Sequence, residues 1–142
     1  MQKYLLDACA LIAYFCYEKG ADVVKELLLE AKRKKITLQM NAANLIEVYY
    51  DLIRVSGSED TDITIDDIYN IFPINIIARL TPDIVREAAY FKSTGKMSFA
   101  DAILLATARC TGATVVTCDY TEFKQIEQLG NIPFLWIRPP IF

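Results

Sequence analysis

Apolar and polar residues along the chain follow two spacings, one typical of strands and one typical of helices. Five short apolar runs have the length and the aliphatic or β-branched content of buried strands. They cover residues 4–6, 36–40, 74–78, 113–119 and 133–137. We therefore predict five short strands, distributed along the whole chain.

The stretches between these runs place their apolar residues on one helical face. The predicted helices cover residues 8–17, 21–35, 42–55, 65–71, 82–91, 99–111 and 121–129. The Ser-Gly-Ser segment at residues 56–58 is expected to end the third helix, because glycine favours helix termination. Strands and helices therefore alternate from one end of the chain to the other.

Several helix boundaries carry recognisable signals. Thr81 and Ser98 are suitable N-cap residues, and Asp101 follows Ser98 at capping-box distance. Asn41 is expected to cap the third helix, and Gly112 to end the sixth. These signals come from local backbone chemistry and are independent of the apolar pattern.

Alternating strands and helices are typical of an α/β fold with helices on both faces of the sheet. We expect a three-layer α/β/α architecture with a mainly parallel central sheet and right-handed crossovers. The 142 residues suit one domain, and no repeat or linker divides them, so residues 1–142 are predicted to form a single domain.

The composition narrows the chemistry, because the chain contains no histidine. Catalysis by Ser-His-Asp or Cys-His arrangements is therefore excluded, as is any histidine-ligated metal site. The formal net charge of −3 argues against a uniformly basic surface for nonspecific nucleic-acid binding. Carboxylates, hydroxyls, lysines and arginines must carry any reaction.

Two further features indicate a cytoplasmic protein. Although 54% of the residues are hydrophobic, no apolar run reaches the ~18 residues that a membrane-spanning helix needs, and no signal peptide is recognisable. The four cysteines form no Cys-x-x-Cys pair, so we expect free thiols and neither disulfides nor a zinc site.

Four acids are predicted to converge on one edge of the sheet. Asp7 and Asp119 directly follow predicted strands, and Glu47 and Asp101 lie near the starts of predicted helices. In an open parallel sheet, the carboxyl ends of the strands and the helix starts share the edge where ligands bind. Four oxygen donors without nitrogen or sulfur ligands suit a hard cation such as Mg²⁺ or Mn²⁺.

Each acid also has an ordinary interpretation. Asp7 and Asp119 suit helix or turn caps, Asp101 suits the acidic half of a capping box, and Glu47 suits a solvent-facing helix position. However, Glu47 and Asp101 both emerge from strongly apolar segments, and a buried acid needs a partner. A metal ion is one such partner.

The segments around these acids resemble those of PIN-domain nucleases, and in size and layout the VapC-type toxins of prokaryotic toxin–antitoxin pairs. They are LLDACALIAYF, NAANLIEVYYDL, MSFADAILLATA and VVTCDYTEF, in the order of the family. The resemblance implies a sheet flanked by helices and cleavage of RNA that depends on Mg²⁺ or Mn²⁺. It also implies a homodimer and a small antitoxin partner.

The resemblance further implies that Asp7, Glu47, Asp101 and Asp119 bind the metal and take part in metal-assisted hydrolysis of RNA phosphodiester bonds. Three other positions would support the acids. Thr117 retains a hydroxyl common in the family, whereas Cys9 replaces a frequent Ser or Asn and Asn41 replaces a small hydroxyl residue. We expect these two departures to affect the fine tuning of the metal.

Two other functions fit parts of the pattern. One is a phosphatase or phosphotransfer domain with Asp7 as the nucleophile, although DACA has no second acid two positions on. The other is a PIN-like module that binds RNA or protein without cleaving it. Metal-dependent cleavage of RNA that a chelator abolishes separates the nuclease from both.

Overall fold

A computed structural model describes residues 1–118 and 120–139 of the chain. Within them, five strands alternate with six helices. The strands are β1 (Lys3–Leu6), β2 (Thr37–Asn41), β3 (Asn75–Ile77), β4 (Thr114–Thr117) and β5 (Phe134–Trp136). The helices are α1 (Ala8–Phe15), α2 (Ala21–Lys32), α3 (Ala42–Asn70), α4 (Pro82–Thr94), α5 (Phe99–Thr111) and α6 (Tyr120–Gln128).

The strands form one sheet in the order β3-β2-β1-β4-β5, and each neighbouring pair is parallel. The chain adds β2 and β3 on one side of β1 and then returns to add β4 and β5 on the other. The strand order therefore reverses between β1 and β4, and the carboxyl ends of these two strands flank the usual ligand position of such sheets. The predicted three-layer fold is confirmed, and the sheet is parallel between all its described strands.

Each strand supplies the two faces of the sheet with alternate residues, because side chains along a strand point to opposite sides. Leu6 and Val116 belong to the apolar core on the face of α1, α2 and α3. Leu5 and Val115 belong to the second core, which α4, α5 and α6 cover. All four are fully buried, which explains why consecutive positions in the middle or at the end of these strands are apolar.

The predicted helix starts at Thr81 and Ser98 are confirmed. The Thr81 hydroxyl accepts a hydrogen bond from the Ile84 backbone at 3.3 Å, and Ser98 accepts one from the Asp101 backbone at 3.1 Å. The sixth predicted helix ends at Gly112, which has a φ of 74°. That left-handed conformation is one that glycine adopts without steric cost.

The prediction that the third helix ends at residues 56–58 is confirmed. Helix α3 consists of two helical halves that meet at a kink at Gly57, where φ of 81° and ψ of 165° are not helical. Contacts across the kink hold the two halves together: Thr61 donates to the Gly57 carbonyl at 2.7 Å, and Tyr49 donates to Asp62. The separately predicted helix at residues 65–71 corresponds to the second half of α3, which begins directly after Gly57 and ends at Asn70.

The cysteines remain free thiols, at Cys9, Cys16, Cys110 and Cys118. In the part of the chain that the structure describes, no helix combines the length and the apolar character needed to cross a lipid bilayer. Two apolar cores, one on each face of the sheet, hold the fold together.

Candidate metal centre

Three of the four predicted acids lie near the carboxyl end of the central strands. Asp7 directly follows β1 and caps α1, Glu47 lies in the second turn of α3, and Asp101 lies in the first turn of α5. Asp7 is 5% exposed and Asp101 is 7% exposed, while Glu47 is half-buried. Asp119 lies outside the described residues.

The Asp7 carboxylate is held by two hydrogen bonds, one from the start of helix α1 and one from the end of strand β4. Its Oδ1 accepts from the Ala8 backbone at 2.7 Å, and its Oδ2 accepts from the Thr117 hydroxyl at 2.8 Å. The Asp7 backbone N–H continues the β1–β4 ladder by donating to the Val116 carbonyl at 2.9 Å. Asp7 is therefore a helix cap, as the ordinary interpretation expects, and its carboxylate is also fixed in the interior.

Burial raises the pKa of Asp7 from 3.8 to about 7, and the negative charges of Asp101 and Glu47 act in the same direction. The hydrogen bonds from Thr117 and Ala8 oppose this rise. Burial also raises the pKa of Glu47, with further contributions from Asp101 and Asp51. The carboxylates of Asp7, Glu47 and Asp101 are therefore close enough to repel one another. Protons or a bound cation would offset this repulsion.

Cys9 lies against the Asp7 carboxylate and Thr117. Its thiol donates to Asp7 Oδ2 at 3.7 Å, lies 3.4 Å from the Thr117 hydroxyl oxygen and accepts the Cys118 backbone N–H at 3.2 Å. Hydrogen bonding with Cys118, burial and the charge of Asp7 strongly raise the pKa of the Cys9 thiol. The Cys9 thiol is therefore protonated at neutral pH and can donate to Asp7. In this form it is a poor metal ligand, because metal ions bind the thiolate.

The Asn41 side chain is predicted from the sequence to support the acids, but its hydrogen bond is to Thr107 of α5. It is the N-cap residue of α3, but its side chain makes no capping hydrogen bond. Its Oδ1 instead accepts from the Thr107 hydroxyl of α5 at 3.2 Å. Asn41 thus joins the helix that carries Glu47 to the helix that carries Asp101.

Sequence reasoning missed Asn44, which is completely buried in the first turn of α3. Neither its amide nitrogen nor its amide oxygen has a hydrogen-bond partner. A polar residue near a helix start gives no signal of burial in the sequence, because such positions are usually solvated.

The donor set fits a hard divalent cation, because all three described acids offer carboxylate oxygens and are coupled through their charges. Within residues 1–118 and 120–139, no group of three Cys, Asp or Glu side chains forms a ready-made metal cluster. An incomplete cage is compatible with Mg²⁺, which retains several of its waters and needs only one or two protein carboxylates.

The chain is an α/β/α protein with a parallel sheet and with acids near the switch point, where ligands bind in open sheets of this class. The family model described as PIN domain matches residues 4–129. The chain therefore belongs to the PIN domain family, which confirms the resemblance of its motifs to PIN-domain proteins. No curated protein matches the chain.

Solved structures similar to this chain include several toxin–antitoxin proteins. A toxin–antitoxin complex from Klebsiella pneumoniae is 19% identical, with a TM-score of 0.69 and coverage of 96% of this chain and 99% of that one. VapBC2 from Rickettsia felis, bound to a promoter DNA fragment, is 18% identical, with a TM-score of 0.72 and coverages of 94% and 98%.

Mycobacterium tuberculosis VapC20, described as a sarcin-ricin loop cleaving toxin, is 16% identical to this chain. Its TM-score is 0.63, and the match covers 91% of this chain and 96% of that one. At these identities, the likeness to all three proteins concerns the fold.

Proposed function

We propose that this PIN domain is a divalent-metal-dependent endoribonuclease in which Asp7, Glu47, Asp101 and Asp119 hold Mg²⁺ or Mn²⁺. The observation that carries the proposal is the buried Asp7 carboxylate, whose pKa is raised to about 7 by burial and by the charges of Asp101 and Glu47. Groups of titratable residues with strongly shifted pKa values occur preferentially at functional sites.

The residues of the chain have distinct tasks in this site. Ala8 and Thr117 hold both oxygens of Asp7, so that the carboxylate is oriented before any ligand arrives. Ser98 begins α5 and thereby sets the position of Asp101 in its first turn. A divalent ion, when bound, supplies activation of water and positive charge for the hydrolysis of a phosphodiester.

The biological role that we propose is that of the toxin in a toxin–antitoxin pair, acting in the cytoplasm on RNA and neutralised by a small antitoxin protein. The support for this role is that the structural matches to two toxin–antitoxin complexes each cover more than nine-tenths of this chain. Growth arrest on expression of the chain, relieved by a small protein encoded beside it, is the expected result. Unimpaired growth despite abundant folded protein would contradict the toxin role.

We include a homodimer in the proposal, because apolar side chains remain exposed on α4, at its flanks and in the last part of α3. A groove of about 370 Å³ between α4 and α5 is lined by Leu80, Val85 and Phe99, which are 48%, 53% and 70% exposed. Ile63 and Tyr69 of α3 are 62% and 56% exposed. Such apolar surface is typical of sites of association.

The decisive experiment is cleavage of RNA by purified protein with Mg²⁺, with Mn²⁺ and with a chelator. A sarcin-ricin loop RNA is a suitable first substrate, because VapC20 is described as cleaving that loop. The proposal expects cleavage only with metal. RNA or protein binding without cleavage would favour the inactive module, and hydrolysis of a small phosphomonoester through a phosphorylated Asp7 would favour the phosphatase.

A further inference from the structure

The Asn44 side chain is buried without any hydrogen bond. It has 0% exposure, and both Nδ2 and Oδ1 lack a partner in the part of the chain that the structure describes. More than nine in ten buried polar groups in proteins are hydrogen-bonded, because an unpaired one loses its interactions with water without compensation. An apolar side chain of the same size would fit this position better if packing were its only role.

The position of Asn44 on α3 places it beside the acids. Asn44 precedes Glu47 by three residues, so the two side chains are neighbours on one face of the helix. Helix α3 packs against α1, which Asp7 caps, and against α5, which carries Asp101. The carboxylate of Glu47 interacts with the charge of Asp101 and contributes to the raised pKa of Asp7.

The contact between α3 and α5 has its own polar link and does not depend on Asn44. The single hydroxyl hydrogen of Thr107 is shared between the Ile103 carbonyl at 2.8 Å and Asn41 Oδ1 at 3.2 Å. Asn41 and Thr107 are both almost completely buried. Asn41 Nδ2 is also unpaired, but among the described residues only Asn44 has both buried carboxamide atoms without a hydrogen-bond partner.

We infer that Asn44 is a positioning residue of the metal centre, whose buried carboxamide, unpaired in the metal-free chain, hydrogen-bonds to water of a hydrated divalent cation held beside Glu47. This inference rests on the proposed function. Mg²⁺ and Mn²⁺ keep part of their water when proteins bind them, and these waters need acceptors. A neutral carboxamide offers an acceptor and donors without adding a further negative charge to the acids.

The test compares Mn²⁺ binding to the full chain and to Asn44→Leu by isothermal titration calorimetry, together with thermal melts in chelator. Loss of a residue that supports metal ligands typically weakens metal binding by 10- to 100-fold, so we expect a Kd at least about 10-fold higher for Asn44→Leu. In chelator, the same variant is expected to melt at a higher temperature, because the unpaired buried amide is gone.

Two further variants separate positioning from packing. Asn44→Asp keeps an oxygen acceptor and is expected to bind Mn²⁺ at least as tightly as the natural chain, although it melts lower in chelator. Val48→Ala lies one turn further along α3 and is fully buried, so it serves as the packing control. It is expected to melt lower with an unchanged Kd for Mn²⁺.

Equal Kd values for the natural chain and Asn44→Leu overturn the role of Asn44. An equal loss of affinity in Val48→Ala also overturns it, because general loosening of the helix then explains the result. If Asn44→Leu does not fold, Asn44→Ala replaces it with the same expected loss of affinity. Absence of Mn²⁺ binding by the natural chain instead overturns the metal centre itself.

Discussion

Thr117 donates a hydrogen bond of 2.8 Å to Asp7 although 110 positions separate them in the chain. The contact follows from the sheet, because Leu6 of β1 is in register with Val116 of β4. The residues that come next along the chain, Asp7 and Thr117, therefore lie side by side at the carboxyl ends of the two strands. Both residues are almost completely removed from solvent. The switch point of the fold therefore holds a carboxylate in the interior and supplies the hydroxyl that orients it.

Thr117→Val is expected to weaken the metal site by removing this hydrogen bond. Because the bond from Thr117 lowers the pKa of Asp7, its loss raises that pKa further and keeps the acid protonated at neutral pH. A hydrogen bond to a charged group contributes about 1.5–3 kcal/mol, so Mn²⁺ affinity at pH 7 should fall about 10-fold or more.

The measurement is the pH dependence of Mn²⁺ binding by calorimetry. The midpoint for Thr117→Val should move to higher pH, while Thr117→Ser, which keeps the hydroxyl, should retain the natural midpoint. Identical midpoints for all three proteins would show that the Thr117 hydroxyl does not tune Asp7.

The metal-free protein is expected to lose stability as the pH rises from about 4 to about 7. The pKa of Asp7 lies above its unfolded value of 3.8, so the folded state binds more protons across this window than the unfolded state does. The free energy of unfolding then falls by up to about 1.4 kcal/mol per pH unit. Urea unfolding in chelator across this range measures it, and a flat or rising profile contradicts the raised pKa.

Asp7→Asn is expected to melt at a higher temperature than the natural chain in chelator at neutral pH. The amide removes a buried charge that Asp101 and Glu47 repel, and it can still accept the N-cap hydrogen bond from Ala8. Excess Mn²⁺ should raise the melting temperature of the variant less, since a ligand stabilises according to its binding to the folded state.

Thermal melts of both proteins with chelator and with Mn²⁺ decide between the two roles of Asp7. The capping interpretation alone predicts four equal melting temperatures, because Asn caps a helix about as well as Asp. Four equal values would therefore leave Asp7 as a cap only.

Asp101→Asn is expected to fold normally and to lose RNA cleavage by at least about 100-fold, because the amide keeps the shape but not the charge that a hard cation requires. The circular dichroism spectrum and a cleavage assay with Mn²⁺ are the two measurements. Asp83→Asn is the matched control, since Asp83 is exposed and pairs with Arg86. Cleavage by Asp101→Asn at the rate of the control would exclude Asp101 from the site.

Val85→Lys is expected to shift the protein from dimer to monomer, because a charge in the groove between α4 and α5 opposes burial of that face. Light scattering over a range of concentrations measures the mass. Leu29→Lys on α2 places the same charge outside the groove and should leave the dimer intact. A natural chain that is monomeric at every concentration would refute the dimer.

The second half of α3 shows where local signals are insufficient. Gly57 predicts the break, because glycine adopts a positive φ without strain, but it does not predict that a helix resumes directly afterwards. Ile65 and Ile68 of this half pack into the core on the face of α1, α2 and α3. That packing involves residues distant in the chain and leaves no local signature.

The sequence by itself determined the strands, most helix starts and the positions of Asp7, Glu47 and Asp101 at one edge of the sheet. These features follow from periodicity, capping chemistry and the rule for parallel sheets, all of which act over a few residues or through simple topology.

Only the tertiary structure decided which side chains meet. It placed the Asn41 carboxamide on Thr107, 66 residues away, and buried Asn44 without a partner. It also raised the pKa of Asp7 to about 7 through burial and the approach of Asp101 and Glu47. The physical reason is that burial, charge coupling and side-chain hydrogen bonds depend on distances in space between elements, and the one-dimensional pattern does not contain those distances.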